Sequence, residues 1–133
     1  MNLEHLLIQP LRITSAEDRS GYVVTAEGEL DMHAARELEQ ALDAGRVNPA
    51  DVLLDLEGVT FIDGGGIKAL VEATRRFTEE KRAFRIVQAR GQVARVLSVT
   101  GVDAALPLDD SSASSFPRPF GIDFLATSSS ASL

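Results

Sequence analysis

Residues 52–67 read VLLDLEGVTFIDGGGI and join a strand pattern to the start of a helix. The run 52–56 is almost continuously apolar, which is typical of a strand buried on both faces. Asp63 then stands before three glycines and is a good N-cap. Apolar and small residues follow at helical spacing: Ile67, Leu70, Val71, Thr74 and Phe77. The stretch therefore predicts one strand–loop–helix unit, in which we expect Leu54, Phe61, Ile62 and Leu70 to be buried.

Similar patterns lie on both sides of this unit. Asp31 follows a β-rich run and precedes a predicted helix that we expect to end at Gly45. The predicted strands are residues 6–14 (an edge strand interrupted by Pro10), 22–26, 52–56, 83–87 and 106–108, and the predicted helices are residues 32–44, 67–80 and 92–100. Strands that alternate with helices indicate successive βα units. The fold class is therefore α/β, with a mostly parallel, mixed sheet of four to five strands.

The composition changes near residue 110. Residues 111–133 contain eight serines and two prolines and show no regular apolar face. We expect residues 1–110 to form one domain and residues 111–133 to form a flexible, Ser-rich C-terminal tail.

Composition excludes several functional classes. The net charge of −7 and an aromatic content of 5% argue against a nucleic-acid partner. With no cysteine and only two histidines, we expect no metal and no cofactor. No apolar run approaches the roughly 20 residues that span a bilayer, and the N-terminus lacks the order of a signal peptide. The sequence thus predicts a soluble, cytoplasmic protein without membrane insertion.

Two carboxylates and a glycine triplet are the candidate site. Asp31 and Asp63 each follow a strand or apolar segment, so in parallel βα units both lie at the same end of the sheet. They could be an acid–base pair or two helix caps. The glycines could admit an anion or a partner, or could supply unusual φ and ψ angles in a turn. No nucleophile–base pair and no Walker motif accompanies them, so we expect no enzyme.

The motifs GELD at residues 28–31 and DLEGVTFIDGGGI at residues 55–67 together resemble those of STAS domains, and most of all the stand-alone bacterial anti-sigma factor antagonists. The resemblance covers about residues 6–110. It implies helices packed on one side of the sheet and a non-enzymatic protein. The implied partner is an anti-sigma factor, often a serine/threonine kinase, whose binding frees a sigma factor.

The resemblance also implies a phosphorylated hydroxyl in the loop that opens the second helix, with Asp31 and Asp63 beside it. In this chain that position is Gly65, which cannot accept a phosphoryl group. Binding is then constitutive or is switched elsewhere. Because serine suits the first turn of a helix, we expect Gly65→Ser to be tolerated.

The sequence also predicts which residues contact the partner. The expected contact residues are Asp31, Asp63, Gly64, Gly65, Gly66, Ile67, Lys68 and Arg75. The expected oligomeric state is a monomer or weak dimer. A STAS scaffold subunit of a stress-signalling or lipid/anion transport complex is the alternative function. An enzyme or nucleotide-binding protein that uses the glycine loop is a third.

Overall fold

The structure is a computed structural model that describes residues 9–18, 21–46 and 51–109. Its elements are β1 (Arg12–Asp18), β2 (Gly21–Leu30), α1 (Ala35–Arg46), β3 (Asp51–Ile62), α2 (Gly64–Glu79), β4 (Phe84–Val87), α3 (Gly91–Val99), a 3-10 turn (Val102–Ala105) and β5 (Leu108–Asp109). The predicted tail, residues 111–133, lies outside the described residues, as does the first part of the predicted N-terminal strand.

The strands form one five-stranded sheet in the order β1-β2-β3-β4-β5. β1 is an edge strand and runs antiparallel to β2, while all other neighbours are parallel. The connections from β2 to β3 and from β3 to β4 pass through α1 and α2, so they are βα units. The predicted mixed sheet is therefore confirmed. The edge strand lies at Arg12–Asp18, later than the predicted residues 6–14, of which residues 9–11 are not in a strand.

All three helices pack against the same face of the sheet. Leu38 of α1, Leu70 of α2 and Leu97 of α3 belong to one buried cluster that also contains alternate residues of the strands. Leu54 and Leu70 are fully buried in it, and Ile62 is nearly so, as predicted. Burial of one such side chain stabilises the fold by about 1.5–3 kcal/mol, so this face supplies most of the stability.

Phe61 contradicts the predicted core, because its side chain is 40% exposed. β3 pairs with β2 through two register shifts, and at the second of these Gly28 pairs with Val59 while Glu29 pairs with Phe61. Thr60 is thus an extra residue that inverts the alternation of side chains. Phe61 consequently points to the same face as Glu29, away from the helices.

The ends of the helices follow local signals only in part. Gly101 has φ 79° and follows Thr100, the C-cap of α3, as predicted for a helix stop. Gly45 does not end α1, which continues to Arg46. A Cβ on Gly45 would lie 2.6 Å from Cε2 of Tyr22, so this glycine is needed where the helix touches the sheet.

The opposite face of the sheet carries a smaller apolar cluster and several ion pairs. Leu53 and Val87 are nearly buried there. The Asp55 carboxylate accepts a hydrogen bond from the N–H of Glu57 at 2.9 Å. Burial raises the pKa of Asp55, and this effect outweighs the hydrogen bond that lowers it. Ion pairs on this face include Arg12–Glu27, Arg85–Asp109 and Arg90–Glu57.

Candidate functional site

Two loops meet at the edge of the sheet where β2 and β3 end. Leu30 and Ile62 are partners in the parallel ladder, so the residues that follow them, Asp31 and Asp63, leave the sheet side by side. The N–H of Asp63 donates to the carbonyl oxygen of Leu30 at 3.3 Å. The prediction that both carboxylates lie at the same end of the sheet is confirmed.

Asp63 connects the two loops through its side chain. Oδ1 accepts a hydrogen bond from the N–H of Gly66 at 3.0 Å and thereby caps α2, as predicted. Oδ2 accepts a second bond from the N–H of Met32 at 3.2 Å. One carboxylate thus satisfies backbone donors in both loops and holds them together.

Asp31 caps its own turn. Its Oδ1 accepts a hydrogen bond from the N–H of Ala34 at 2.9 Å, and its carbonyl oxygen accepts one from the N–H of Ala35 at 3.0 Å. The α-helix proper begins at Ala35, three residues later than predicted, because a turn precedes it. Both carboxylates therefore serve as caps, which is one of the two interpretations that the sequence left open.

The glycine triplet is not a turn with unusual backbone angles. The described glycines with positive φ are Gly28, Gly91 and Gly101, so none of residues 64–66 needs the left-handed region. A Cβ on Gly65 would lie 2.6 Å from Cα of Met32 and still closer to its Cβ. The expectation that Gly65→Ser is tolerated is therefore wrong, because backbone atoms fill the space.

The predicted contact residues differ in how much solvent reaches them. Gly64, Lys68 and Arg75 are exposed and follow one another along one face of α2. Gly66 is buried against the carbonyl of Leu30, so it supports the loop from beneath and presents no contact surface. Ile67 packs partly against the core. The half-buried members are Asp31, Asp63, Gly65 and Ile67.

Two exposed apolar residues at this surface were missed from the sequence. Met32 is 63% exposed and contacts the glycine loop. Val71 is exposed and shares a helix face with Lys68 and Arg75. A signal for Met32 existed, since the apolar residues at helical spacing in the predicted helix 32–44 are Ala34, Leu38, Ala41 and Leu42, and Met32 lies off that face. Val71 was counted among the apolar positions of α2, where its neighbour Leu70 is the buried residue.

The surroundings of the two loops are charged. A shallow cleft of about 310 Å³ lies beside Asp31 and includes the carboxylates of Glu29 and Glu37. On α2, Arg75 forms an exposed ion pair with Glu79 at 3.2 Å. Such an exposed pair contributes little to stability, so Arg75 remains available for other contacts.

Within residues 9–18, 21–46 and 51–109, no group of three His, Asp or Glu side chains is arranged to hold a metal ion. None of the helices in the same residues has the length and apolar character that crossing a membrane requires.

Comparisons with known proteins agree on the kind of protein that this chain resembles. The family model described as STAS domain matches residues 12–115. The chain is 27% identical over 90 residues to an anti-sigma-B factor antagonist of Staphylococcus aureus, across 67% of this chain and 82% of the relative. It is also similar to the crystal structure of an anti-sigma factor antagonist from Mycobacterium paratuberculosis, with 30% identity and a TM-score of 0.64 over 74% of this chain and 84% of that one.

The fold is shared more widely than the sequence. The unphosphorylated form of the anti-sigma factor antagonist SpoIIAA superimposes with a TM-score of 0.59 at 18% identity, over 86% of this chain and 96% of that one. The five-stranded mixed sheet and three helices described above therefore match the fold of that protein. The family model spans most of the chain, and it includes both loops of the candidate site. This chain therefore belongs to the STAS domain family.

Proposed function

We propose that this protein is an anti-sigma factor antagonist, which binds an anti-sigma factor of the serine/threonine kinase type and thereby frees a sigma factor. The observation that carries the proposal is the joined pair of loops, held by the two bonds of the Asp63 carboxylate to Gly66 and Met32. This surface is present in a chain whose relatives are named anti-sigma factor antagonists.

The proposed contact surface combines the two loops with the exposed face of α2. Gly64, without a side chain, leaves the start of the helix open, and Lys68 and Arg75 add positive charge farther along it. Met32 and Val71 supply apolar area between these groups. Asp31 and Asp63 position the surface through their cap bonds.

The proposal includes several properties that follow from this role. The protein acts in the cytoplasm, where sigma factors meet RNA polymerase, and it works by binding without catalysis, metal or cofactor. It binds as a monomer or weak dimer. Because Gly65 carries no hydroxyl, its binding is constitutive or is switched at another position.

The test uses the anti-sigma factors encoded in the genome of the source organism. Each is purified in complex with its sigma factor, and the full-length protein is added at increasing concentration. Release of the sigma factor is followed by size-exclusion chromatography. The proposal expects one anti-sigma factor to exchange its sigma factor for this protein.

A matched pair of variants controls for the surface. Val71→Glu places a negative charge on the proposed interface and is expected to weaken displacement at least tenfold. Val99→Glu places the same charge on a residue that is 79% exposed. Val99 ends α3, which starts at the same edge of the sheet as α2 and runs toward the opposite edge, so no effect is expected. If the wild-type protein displaces no sigma factor, the proposed function is wrong. If the protein instead copurifies with a transport complex, the scaffold alternative is favoured.

A further inference from the structure

Gly65 lies against the turn between β2 and α1 with no space for a side chain. The position of its Cβ would be 2.6 Å from Cα of Met32 and 3.1 Å from the nitrogen of Met32. Real Cβ atoms essentially never approach heavy atoms closer than 3.0 Å. Because φ of Gly65 is not positive, glycine is required at this position by the close contact with Met32 and not by the backbone conformation.

The Met32 backbone is held in place by its neighbours. Its N–H donates to Oδ2 of Asp63, and the carbonyl of the preceding Asp31 accepts hydrogen bonds from the N–H groups of Ala34 and Ala35. The atoms opposite Gly65 are therefore fixed main-chain atoms and a Cβ. They cannot rotate away as the end of a flexible side chain would.

The three glycines of the loop are not equivalent. A Cβ on Gly66 would lie 2.9 Å from Cγ1 of Ile62 and closer still to the carbonyl oxygen of Leu30. A Cβ on Gly64 would have no described atom within 4 Å apart from its chain neighbours and the adjacent backbone of its own helix. Of the three positions, only 64 has space for a side chain, and that side chain would project into solvent at the start of α2.

We propose that Met32 is a positioning residue that fixes the glycine loop in one arrangement by close contact with Gly65, and that position 64 is the one place in the loop where an added group controls partner binding. The part of the proposal that concerns position 64 rests on the proposed function. A hydroxyl introduced at position 65 alone has no space, so substituting serine there does not create a working switch. A group at position 64 lies on the partner surface without disturbing the fold.

The contact is tested by unfolding in urea, which needs no partner. Intrinsic helix propensity favours alanine over glycine at each position of the triplet. We nevertheless expect Gly65→Ala to lower the urea midpoint, whereas Gly64→Ala leaves the midpoint unchanged or raises it. In a Met32→Gly background, which removes the nearest atom and frees the turn to shift, Gly65→Ala should lower the midpoint by a smaller amount. An equal loss in both backgrounds, or a gain from Gly65→Ala in the wild type, overturns the contact.

The role in binding is tested with the anti-sigma factor that exchanges its sigma factor for the wild-type protein. Gly64→Arg should weaken its affinity at least tenfold with an unchanged urea midpoint, and Val99→Arg should change neither. Met32→Gly should weaken affinity more than Met32→Ala, at a temperature where both variants are fully folded, because both lose the exposed side chain but only alanine keeps the Cβ that lies against Gly65. If Gly64→Arg binds as tightly as the wild type, the role of position 64 is wrong. If Met32→Gly and Met32→Ala bind equally tightly, the positioning role of Met32 is wrong. If no anti-sigma factor binds the wild type, the proposed function is wrong, and so is the role of position 64 in partner binding. The unfolding experiment still tests the contact between Met32 and Gly65.

Discussion

Replacing Asp63 by alanine should destabilise the protein more than replacing Asp31, although both are aspartates at the start of a helical segment. The Asp63 carboxylate accepts two backbone N–H bonds, from Gly66 at 3.0 Å and from Met32 at 3.2 Å. The Asp31 carboxylate accepts one, from Ala34 at 2.9 Å. Loss of a cap costs about 1 kcal/mol, and loss of a second bond to a charged group costs about 1.5 kcal/mol more. We therefore expect about 2–3 kcal/mol for Asp63→Ala and about 1 kcal/mol for Asp31→Ala.

The assay is urea unfolding monitored by circular dichroism, with the slope m as a check that the unfolded state has not changed. Asp63→Asn is the informative intermediate. Its amide oxygen can still cap Gly66, but its amide nitrogen cannot accept from the N–H of Met32, so about half of the loss should remain. The reasoning is refuted if Asp63→Ala costs no more than Asp31→Ala. It is also refuted if asparagine restores full stability, because the bond to Met32 would then contribute nothing.

The remaining predictions concern the sheet. Leu54→Ala should cost about 2–5 kcal/mol in urea unfolding, since it leaves a cavity in a fully buried site. Phe61→Thr should cost about 1 kcal/mol, less than Leu54→Ala, because the side chain is 40% exposed, and a loss as large as that of Leu54→Ala would contradict the bulge at Thr60. Burial raises the pKa of Asp55, so the folded protein binds the proton of this carboxyl group more tightly than the unfolded chain does. The resulting stability is present below the ordinary aspartate pKa and is lost as the pH rises through the raised pKa. Asp55→Asn should accordingly gain stability relative to wild type as the pH of the unfolding experiment rises from 3 to 7, and a pH-independent difference would contradict the raised pKa.

Signals between residues close in sequence were sufficient for the plan of the fold. The apolar run at residues 52–56 became the central strand, and Asp63 became the N-cap of α2. Capping and hydrophobic periodicity depend on residues a few positions apart, so they can be recognised in one sequence. The same signals placed Asp31 and Asp63 at one end of the sheet, because parallel strands bring equivalent ends together.

The predictions failed where a residue is governed by a partner far along the chain. Phe61 left the core because Thr60 forms a bulge in the pairing with β2, and bulges depend on two strands at once. Gly45 lies inside α1, and its missing side chain leaves room for the ring of Tyr22, which is 23 residues away in the sequence.

The site shows the same division between local and distant causes. That a carboxylate caps α2 could be read from the order Asp63-Gly64-Gly65-Gly66, but the second bond of that carboxylate reaches Met32, which is 31 residues away. Glycine at position 65 suggests freedom of the backbone when only neighbours are considered. The tertiary structure gives it the opposite meaning, since the turn that follows β2 packs directly on it and leaves no volume for a Cβ. Close packing between segments is a property of the assembled chain, and no local pattern in the sequence encodes which atoms will fill that volume.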